Sequence, residues 1–211
     1  MSIARDGLPY ILIPAVVSLL LLALGYWYGV VYWYAAIPFV LVTAFMAYFF
    51  RDPRREPPQD QTAVVAPADG KVTRVSAIAD TADSPTLVSI FLSPLDVHIN
   101  RAPIAGTVTN VSYTRGRFLM ATDKNASLVN EQNALTIQGE KITVVCKQIA
   151  GILARRIICW KHAGEQVGLG ERFGLIKFSS RTDVLLPAGV EVLVTEGMRV
   201  RGGTTVIGRI K

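Results

Sequence analysis

The feature of this chain that most restricts its fold is a long uncharged block near its start. Residues 8–50 contain no Asp, Glu, Lys or Arg and are mostly apolar. One membrane-spanning helix needs roughly 20 apolar residues, so the block is long enough for two. We place the two segments at residues 10–24 and 30–50, joined by the connector GYWYG at 25–29. Because the first segment is short for a span, a re-entrant hairpin competes with two full spans.

Aromatic and basic residues surround this block as they do in membrane proteins. Tyrosine and tryptophan side chains prefer the membrane–water interface. Those at or near the connector are Tyr26, Trp27, Tyr28, Tyr32, Trp33 and Tyr34. The flanking arginines are Arg5 before the block and Arg51, Arg54 and Arg55 after it. The positive-inside rule then places both ends of the hairpin on the cytoplasmic side of the cell membrane. The formal net charge of +6 indicates an anionic membrane surface as a partner, and we expect no nucleic acid.

The remaining sequence predicts a β-rich domain behind a short linker. RDPRREPPQD is rich in proline and charge, so we divide the chain into a hairpin at 1–50, a linker at 51–60 and a domain at 61–211. In that domain, short runs of Val, Ile, Thr and Leu recur between Gly, Pro, Asp and Asn, which is typical of strands. The runs assigned to strands are 71–78, 86–92, 106–114, 133–138, 141–151 and 191–197. Residues 151–160 fit either a helix or a strand.

Two segments of the domain echo each other. They are VVAPADGKVTRV at 64–75 and NRAPIAGTVTNV at 100–111, each with Ala-Pro, then Gly, then an alternating Val/Thr run. This pattern resembles the biotinyl/lipoyl-like barrel-sandwich domains, in which tight glycine turns join short strands. We therefore predict a mainly β, barrel-sandwich-like domain preceded by a hydrophobic helical hairpin.

The two cysteines and one of the two histidines suggest no special chemistry. Cys146 and Cys159 lie in the apolar runs ITVVCKQIA and RRIICW, without the spacing of metal ligands. Buried, reduced thiols are favoured over a disulfide. His162, in WKHAGEQVG, indicates a surface turn. We expect no metal, because no cluster of His, Cys and carboxylate residues has ligand spacing.

The stretch GERFGLIKFSSRTDVLLP at 170–187 is strand-like, yet Ser179 and Ser180 interrupt it. A sheet edge or bulge would explain the pair structurally, and a reactive serine would explain it chemically. His98, in the turn-rich FLSPLDVHINRAP, offers a base, and Asp69, in APADGKV, offers a carboxylate. A carboxylate can orient a histidine that activates a serine. A plain Asp-Gly turn explains Asp69 equally well.

Five stretches, taken together and in order, resemble the phosphatidylserine decarboxylase proenzymes of the short, single-hairpin type. They are FFRDPRR (49–55), APADGKV (66–72), FLSPLDVHINRAPIAGTV (91–108), ARRIICW (154–160) and GERFGLIKFSSRTDVLLP (170–187). The resemblance covers nearly the whole chain, since the apolar N-terminal block matches as well.

The resemblance implies a cofactor that the chain makes from itself. In this family the peptide bond before a serine breaks by autocatalysis, and the serine becomes an N-terminal pyruvoyl group. Matched by motif, the serine is Ser180 and the bond joins it to Ser179. The products would be a β chain, 1–179, and an α chain, 180–211. Asp69 and His98 would assist the cleavage, and His98 would later handle a proton in decarboxylation.

The resemblance also implies the reaction, which is decarboxylation of phosphatidylserine to phosphatidylethanolamine and CO2. Loss of CO2 leaves a carbanion that needs an electron sink. A pyruvoyl ketone supplies that sink through a Schiff base with the substrate amine, so neither a metal nor pyridoxal phosphate is expected. The hairpin would hold the domain against the bilayer that contains the lipid. The sequence leaves a homo-oligomer open.

Two residues depart from the family pattern. The family normally has glycine before the reactive serine, where this chain has Ser179. A Cβ there disfavours the backbone geometry of attack, although pyruvoyl-dependent histidine decarboxylases cleave a Ser-Ser bond. A natural variant that is processed, a slowly processed variant and a substitution that traps the proenzyme remain open. Longer family members have a second histidine where this chain has Arg101, which leaves the division of histidine roles open.

Two other functions compete. One is a non-enzymatic, membrane-tethered carrier or adaptor module of the biotinyl/lipoyl-like type, with Lys71 in DGKV as the modified residue. The other is a membrane-bound serine hydrolase that uses Ser180. The hydrolase lacks the Gly-x-Ser-x-Gly elbow, and the carrier leaves the serine pair unexplained.

Overall fold

A computed structural model of the chain describes residues 2–79, 81, 84–123, 125–152, 156–178 and 180–211. These residues fall into two compact units, Met1–Arg54 and Arg55–Lys211. The first unit is helical and the second is mainly β. Ser179 lies outside the described residues, and so do residues 153–155.

Two helices form the first unit, α1 at Leu8–Tyr28 and α2 at Val31–Phe49. A 3-10 turn at Arg5–Gly7 leads into α1. The short strands β1 (Ser2–Ile3) and β2 (Arg51–Asp52) pair antiparallel. This pairing brings the chain before α1 beside the chain after α2, so the two helices form a hairpin whose ends meet.

The first helix is longer than the sequence predicts. It continues through the tyrosine and tryptophan residues of the predicted connector, because nothing there breaks a helix, and ends only at Gly29. The φ of Gly29 is 107°, a conformation that glycine adopts readily. The connector is therefore residues 29–30 rather than 25–29, whereas α2 agrees with its prediction to within one residue. At about 1.5 Å per residue, each helix is about 30 Å long, the thickness of a bilayer's hydrocarbon core.

The helical pair leaves most of its apolar surface uncovered. The helices touch where Gly25 leaves room for the ring of Trp33, whose Nε1 donates to the carbonyl of Leu22 at 3.2 Å. Large apolar side chains with more than half their surface exposed include Leu12, Ile13, Val16, Leu19, Leu20, Val31 and Leu41. By length and composition, both helices could cross a membrane. The unit is therefore suited to membrane association.

Short strands dominate the second unit. Their bounds are β3 Ala63–Val65, β4 Gly70–Ala77, β5 Thr86–Leu92, β6 Ile99–Arg101, β7 Gly106–Thr114, β8 Gln132–Gln138, β9 Thr143–Ala150, β10 Arg156–Cys159, β11 Gln166–Val167, β12 Arg172–Lys177, β13 Ser180–Leu186, β14 Val190–Val192, β15 Arg199–Val200 and β16 Val206–Ile210. A four-residue helix, α3 (Ala126–Val129), lies between β7 and β8.

Three sheets contain these strands. The largest has the order β11-β7-β8-β9-β13-β5-β4-β15, and the two smaller sheets have the orders β10-β12-β6 and β14-β16-β3. All neighbouring strands in them are antiparallel. The prediction of a mainly β domain behind a helical hairpin is confirmed.

The two halves of the large sheet repeat each other. From the centre outward, β9, β8, β7 and β11 on one side match β13, β5, β4 and β15 on the other. β4 begins at Gly70 with φ 154°, and β7 begins at Gly106 with φ 159°. The pairing register then shifts at matching places, Val72/Arg74 in β4 and Val108/Asn110 in β7. The echo between 64–75 and 100–111 is therefore a repeated strand start followed by a bulge.

Gly70→Ala and Gly106→Ala are each expected to destabilise the β unit. A Cβ at these positions would overlap the backbone carbonyls of Phe91 and Gln138 on the neighbouring strands. We expect a cost of roughly 1–3 kcal/mol for each, measured as a lower apparent melting temperature of the purified chain in detergent. Gly189→Ala is the control, because its Cβ would meet nothing within 4 Å. Equal melting temperatures for all three variants would contradict this account.

Three strand predictions need comment. The predicted strand 191–197 is wrong beyond Val192, where the chain enters turns. The run 170–187 is two strands rather than one, broken at Phe178, whose φ is 62°. Of the ambiguous stretch, residues 156–159 are a strand, because they pair with β12. The remaining predicted runs agree with β4, β5, β7, β8 and β9 to within two residues at each end.

The core of the second unit is apolar and includes one cysteine. Its largest fully buried side chains are Ile90, Leu92, Leu135, Ile137, Phe173 and Leu186. Cys146 is buried among them, Cys159 is half-buried at the edge, and both are free thiols. Burial raises the pKa of both thiols, so Cys146 stays neutral. The prediction of reduced thiols is confirmed, with partial burial for Cys159.

Candidate active site

Ser180 begins the central strand β13. It pairs with Leu92 of β5 on one side and with Ala150 of β9 on the other. The residue is completely buried, and within the described part of the chain its Oγ has no hydrogen-bond partner. A buried hydroxyl without a partner costs free energy. Ser180 is therefore a candidate nucleophile held in place by its backbone on both sides.

The chain passes from one sheet to another immediately before Ser180. β12 belongs to the sheet β10-β12-β6, and β13 belongs to the large sheet. Between them, Phe178 has a φ of 62°, in the left-handed region that bulky residues adopt at a cost. A strained corner thus precedes the serine pair of the sequence.

His98 lies directly before β6 and is completely buried. Its carbonyl accepts a hydrogen bond from the N–H of Ile176 at 3.3 Å, four residues before Ser180. Its Nδ1 lies 3.0 Å from the carbonyl oxygen of Asp96. Because a carbonyl only accepts, Nδ1 is the donor, and the neutral ring then carries its basic lone pair on Nε2.

Four buried polar side chains form a continuous hydrogen-bonded chain, which we call the amide network. Asn133 Nδ2 donates to Gln148 Oε1 at 3.0 Å. Gln148 Nε2 donates to Asn100 Oδ1 at 2.9 Å, and Asn100 Nδ2 donates to Thr182 Oγ1 at 3.0 Å. All four residues are buried. The network ties β8, β9, β6 and β13 together in a region from which water is excluded.

The amide network joins the strand face that contains His98 to the strand face that contains Ser180. Alternate residues of an extended chain point the same way, so His98 shares a face with Asn100. By the same rule, Ser180 shares a face with Thr182. The hydrogen bond between Asn100 and Thr182 joins these two faces. The contact between Ile176 and the His98 carbonyl places His98 at the Ser180 end of the network.

Asn100→Leu is expected to destabilise the fold. The change leaves Thr182 without its donor and Gln148 without one acceptor, both in a buried setting. Each unsatisfied buried group costs roughly 1–3 kcal/mol. Asn110→Leu, an exposed asparagine in β7, is the matched control and should change little. A drop in the apparent melting temperature confined to Asn100→Leu is the expected result, and equal values for both variants would contradict it.

Asp69 lies in the turn before β4, and both of its carboxylate oxygens accept hydrogen bonds. Oδ1 accepts from the N–H of Gly202, and Oδ2 accepts from the Arg55 guanidinium, each at 2.7 Å. Burial raises the pKa of Asp69 above its ordinary value, and the charge of Asp96 adds to this. Arg55 and the Gly202 N–H act in the opposite direction. Arg55 thus has a specific partner, besides the flanking role inferred from the sequence.

Strand register places Asp69 at the same end of the large sheet as Ser180. Lys71, Phe91 and Arg181 are partners across β4, β5 and β13. Asp69 and Ser180 therefore lie about two strand spacings apart, or about 10 Å between backbones. The structure brings Asp69 close to the Asp96 turn, and its carboxylate is engaged by Arg55.

The contacts of Arg101 and His162 indicate structural roles for both residues. Arg101 stands where the longer family members have a second histidine. Its side-chain Nη1 donates to the carbonyl of Gly170 at 3.0 Å. Its backbone N–H donates to the carbonyl of Pro67 at 2.8 Å. It therefore fastens two turns together. The side chain of His162 is 81% exposed, and its Nδ1 lies 3.7 Å from a Glu165 carboxylate oxygen, in agreement with the predicted surface turn.

The other face of β13 carries a buried ion pair. Arg181 Nε lies 2.9 Å from Asp183 Oδ1, and both side chains are almost completely buried. Arg181 Nη1 also donates to the carbonyls of Ala121 and Asp123, at 3.2 and 3.1 Å. The pair fastens the 121–123 loop over β13, directly beside Ser180.

Comparison with known proteins identifies the family. The family model described as phosphatidylserine decarboxylase matches residues 42–208. The chain belongs to the phosphatidylserine decarboxylase family. Relatives named phosphatidylserine decarboxylase proenzyme include one from Chlorobium limicola, 45% identical over 96% of this chain and 97% of the relative. A second relative, from Geobacter sulfurreducens, is 43% identical over 98% of this chain and 95% of its own length. A third, from Solibacter usitatus, is 50% identical over 82% of this chain and 83% of its own length.

For this member of the phosphatidylserine decarboxylase family, motif reasoning selected Ser180, His98 and Asp69 but missed the amide network. A signal was present in the sequence. Asn100 follows His98 by two residues and Thr182 follows Ser180 by two, which in strands puts each pair on one face. The partners in β8 and β9 could not be assigned, because their pairing register is a property of the fold.

Proposed function

We propose that this chain converts phosphatidylserine to phosphatidylethanolamine and CO2 through a pyruvoyl group made from its own Ser180. The observation that carries the proposal is the buried Ser180 hydroxyl, without a partner in the described part of the chain, in the family's reactive position. Family membership over nearly the whole chain supports the reaction. The naming of the relatives as proenzymes supports maturation by cleavage.

Self-cleavage begins at the Ser180 hydroxyl. Its Oγ attacks the carbonyl carbon of Ser179, the C–N bond breaks, and the proton from Oγ passes to the released amine. The ester then eliminates: a base removes the Cα proton of Ser180, and the Cβ–O bond breaks to leave a carboxylate on Ser179. Water replaces ammonia on the remaining dehydroalanine. The net change consumes one water and releases one ammonia.

His98 and Asp69 assist in this proposal. The Nδ1 contact to Asp96 leaves His98 Nε2 as the base that takes the Ser180 proton. The raised pKa of Asp69 makes its carboxylate a better proton acceptor than an ordinary aspartate, while Arg55 holds it in place. The pyruvoyl carbonyl, once formed, supplies the electron sink for the carbanion left by CO2.

The position of β13 suits a cut directly before it. The new α chain would begin as a strand held by β5 and β9, through register partners from Ser180 to Leu186 and from Ser180 to Leu185. The new terminus would therefore stay where Ser180 stood, between β5 and β9. The α and β chains would remain associated without any covalent bond.

The carrier alternative is not supported. Lys71 lies within β4, paired with Phe91 on one side and Arg199 on the other, and a carrier needs its lysine at an open hairpin tip. The family model and the named relatives point to a decarboxylase. In this proposal the two apolar helices hold the enzyme next to its lipid substrate, with the β unit on the cytoplasmic side.

Ser179→Gly is expected to accelerate self-cleavage. Glycine removes the Cβ beside the attacked carbonyl and widens the backbone angles that are available there. The measurement is the rate at which the full-length band disappears on a denaturing gel after synthesis. Ser179→Ala is the matched control, because it keeps a Cβ and loses only the hydroxyl. If glycine gives no faster cleavage than alanine, the backbone argument is wrong.

The function is tested with purified full-length chain in detergent and phosphatidylserine labelled at the serine carboxyl carbon. We expect labelled CO2 and phosphatidylethanolamine, and we expect hydroxylamine to stop both, because it traps a carbonyl cofactor. Product formation that resists hydroxylamine would reject the pyruvoyl group. Absence of product from cleaved protein would reject the decarboxylase, and hydrolysis of the ester bonds would support the serine hydrolase.

A further inference from the structure

An apolar surface of the β unit lies uncovered near Ser180. Residues 113–123 and 125–129, which include most of the loop between β7 and α3, expose several large apolar side chains, and we call these side chains the 113–129 surface. Its exposed members are Tyr113, Phe118, Met120, Leu128 and Val129, with Leu128 78% and Met120 61% exposed. Such side chains cost free energy in water unless something covers them.

The segment is held in a defined shape. The N–H of Arg117 donates to the carbonyl of Val129 at 2.7 Å, and the N–H of Glu131 donates to the carbonyl of Arg117 at 3.0 Å. The buried side chain of Asn130 brackets Leu119, accepting from its N–H and donating to its carbonyl, both at 2.9 Å. The exposed apolar side chains are therefore displayed on a fixed backbone.

The same segment is fastened to the strands around Ser180. Asn130 Nδ2 also donates to the carbonyl of Ala150 at 2.8 Å, and Ala150 is the β9 partner of Ser180. Arg181 holds the carbonyls of Ala121 and Asp123 from the other side. The 113–129 surface is thus attached to both neighbours of the reactive position.

The charges of the segment suit an anionic surface. Arg115 and Arg117 are exposed, and Lys124 adds a third basic residue in the sequence. The carboxylate of Asp123 is engaged locally, where it accepts from the N–H of Asn125 at 2.7 Å. Basic residues among exposed Phe, Met and Leu are typical of segments that rest in the interface of an anionic bilayer.

We propose that the 113–129 surface docks on the anionic bilayer that contains the substrate, so that a phospholipid headgroup reaches Ser180 without crossing bulk water. The inference rests on the proposed function and adds to it the route by which the lipid arrives. Bilayer contact covers the apolar side chains, and Arg115 and Arg117 face the lipid phosphates and carboxylates.

The contact is tested with the full chain and an environment-sensitive fluorophore at Leu128→Cys, in a Cys159→Ser background. Ile78→Cys is the matched control, because Ile78 is 55% exposed at the opposite end of β4. In vesicles of phosphatidylserine and phosphatidylcholine, we expect a blue shift and quenching by lipid-borne quenchers at position 128 but not at 78. Equal signals at the two positions would overturn the proposal. A shift that depends on protein concentration without bilayer would also overturn it, since a second copy would then cover the surface.

Comparing the decarboxylation rates on bilayer substrate and on dissolved substrate tests whether the 113–129 surface serves in docking. The triple variant Phe118→Ser, Met120→Ser, Leu128→Ser is expected to lower the rate on vesicle phosphatidylserine at least about tenfold. Its rate on monomeric short-chain phosphatidylserine should match that of the unaltered chain. Equal losses on both substrates would overturn the docking role. If the unaltered chain decarboxylates neither substrate, the proposed function fails, while the fluorescence still reports whether the surface meets the bilayer.

Discussion

Ser180→Ala is expected to leave the chain uncut and without decarboxylase activity. The variant keeps the backbone of β13 and loses only the hydroxyl, for which the described residues provide no partner. Its fold should therefore survive, while the atom that attacks the preceding carbonyl is gone. Loss of a nucleophile that also becomes the cofactor should lower activity by roughly 10³-fold or more. A denaturing gel and labelled CO2 release measure the two effects.

Ser89→Ala is the matched control for this loss. Ser89 lies in the neighbouring strand β5, is also fully buried, and its Oγ has no hydrogen-bond partner among the described residues. Its removal should leave both cleavage and activity near those of the unaltered chain. Cleavage that persists in Ser180→Ala, or that stops equally in Ser89→Ala, would show that the reactive serine has been assigned wrongly.

Asp183→Ala is expected to cause the largest loss of stability. The substitution leaves the Arg181 guanidinium buried without its carboxylate, in a position where water cannot replace the partner. Breaking a buried ion pair on one side typically costs about 3–5 kcal/mol. The 121–123 loop, which Arg181 also holds, should loosen. The measurements are the apparent melting temperature in detergent and the rate of limited proteolysis within the loop.

The double variant Arg181→Leu, Asp183→Leu distinguishes the charge effect from simple loss of packing. Replacing both members of a buried pair by apolar residues is often close to neutral. We therefore expect the double variant to melt at a higher temperature than Asp183→Ala. A double variant that is no more stable than the single one would mean that the pair contributes through its shape rather than through its charges.

Much of the fold could be predicted because local patterns determine it. The uncharged block at 8–50 can form only apolar helices, and the Val- and Thr-rich runs between glycines can form little except strands. The predicted connector at 25–29 was too long because interfacial aromatic residues are compatible with a helix, and only the φ of Gly29 ends it. The run 170–187 is strand-like in sequence, and the corner at Phe178 could not be located from it because no glycine or proline marks the position.

The candidate site was only partly accessible from the sequence. Motif resemblance selected Ser180, His98 and Asp69, yet the contacts that position them depend on strand order. Gln148 meets Asn100 although β9 and β6 belong to different sheets, and no local pattern indicates that these two strands approach each other. Arg55 and Asp69 lie 14 residues apart in the sequence, and no local pattern indicates their ion pair either. Such long-range pairings are set by topology, whereas residue type indicates only that a polar partner must exist.

The central claim is that the bond between Ser179 and Ser180 breaks and that Ser180 becomes a pyruvoyl group. Intact-mass spectrometry of the purified, unaltered chain tests this most directly. We expect two masses, a β chain that ends in a free carboxylate at Ser179 and an α chain lighter by one ammonia than a serine-terminated 180–211. A single mass equal to that of the uncut 211-residue chain, unchanged after prolonged incubation, would contradict it.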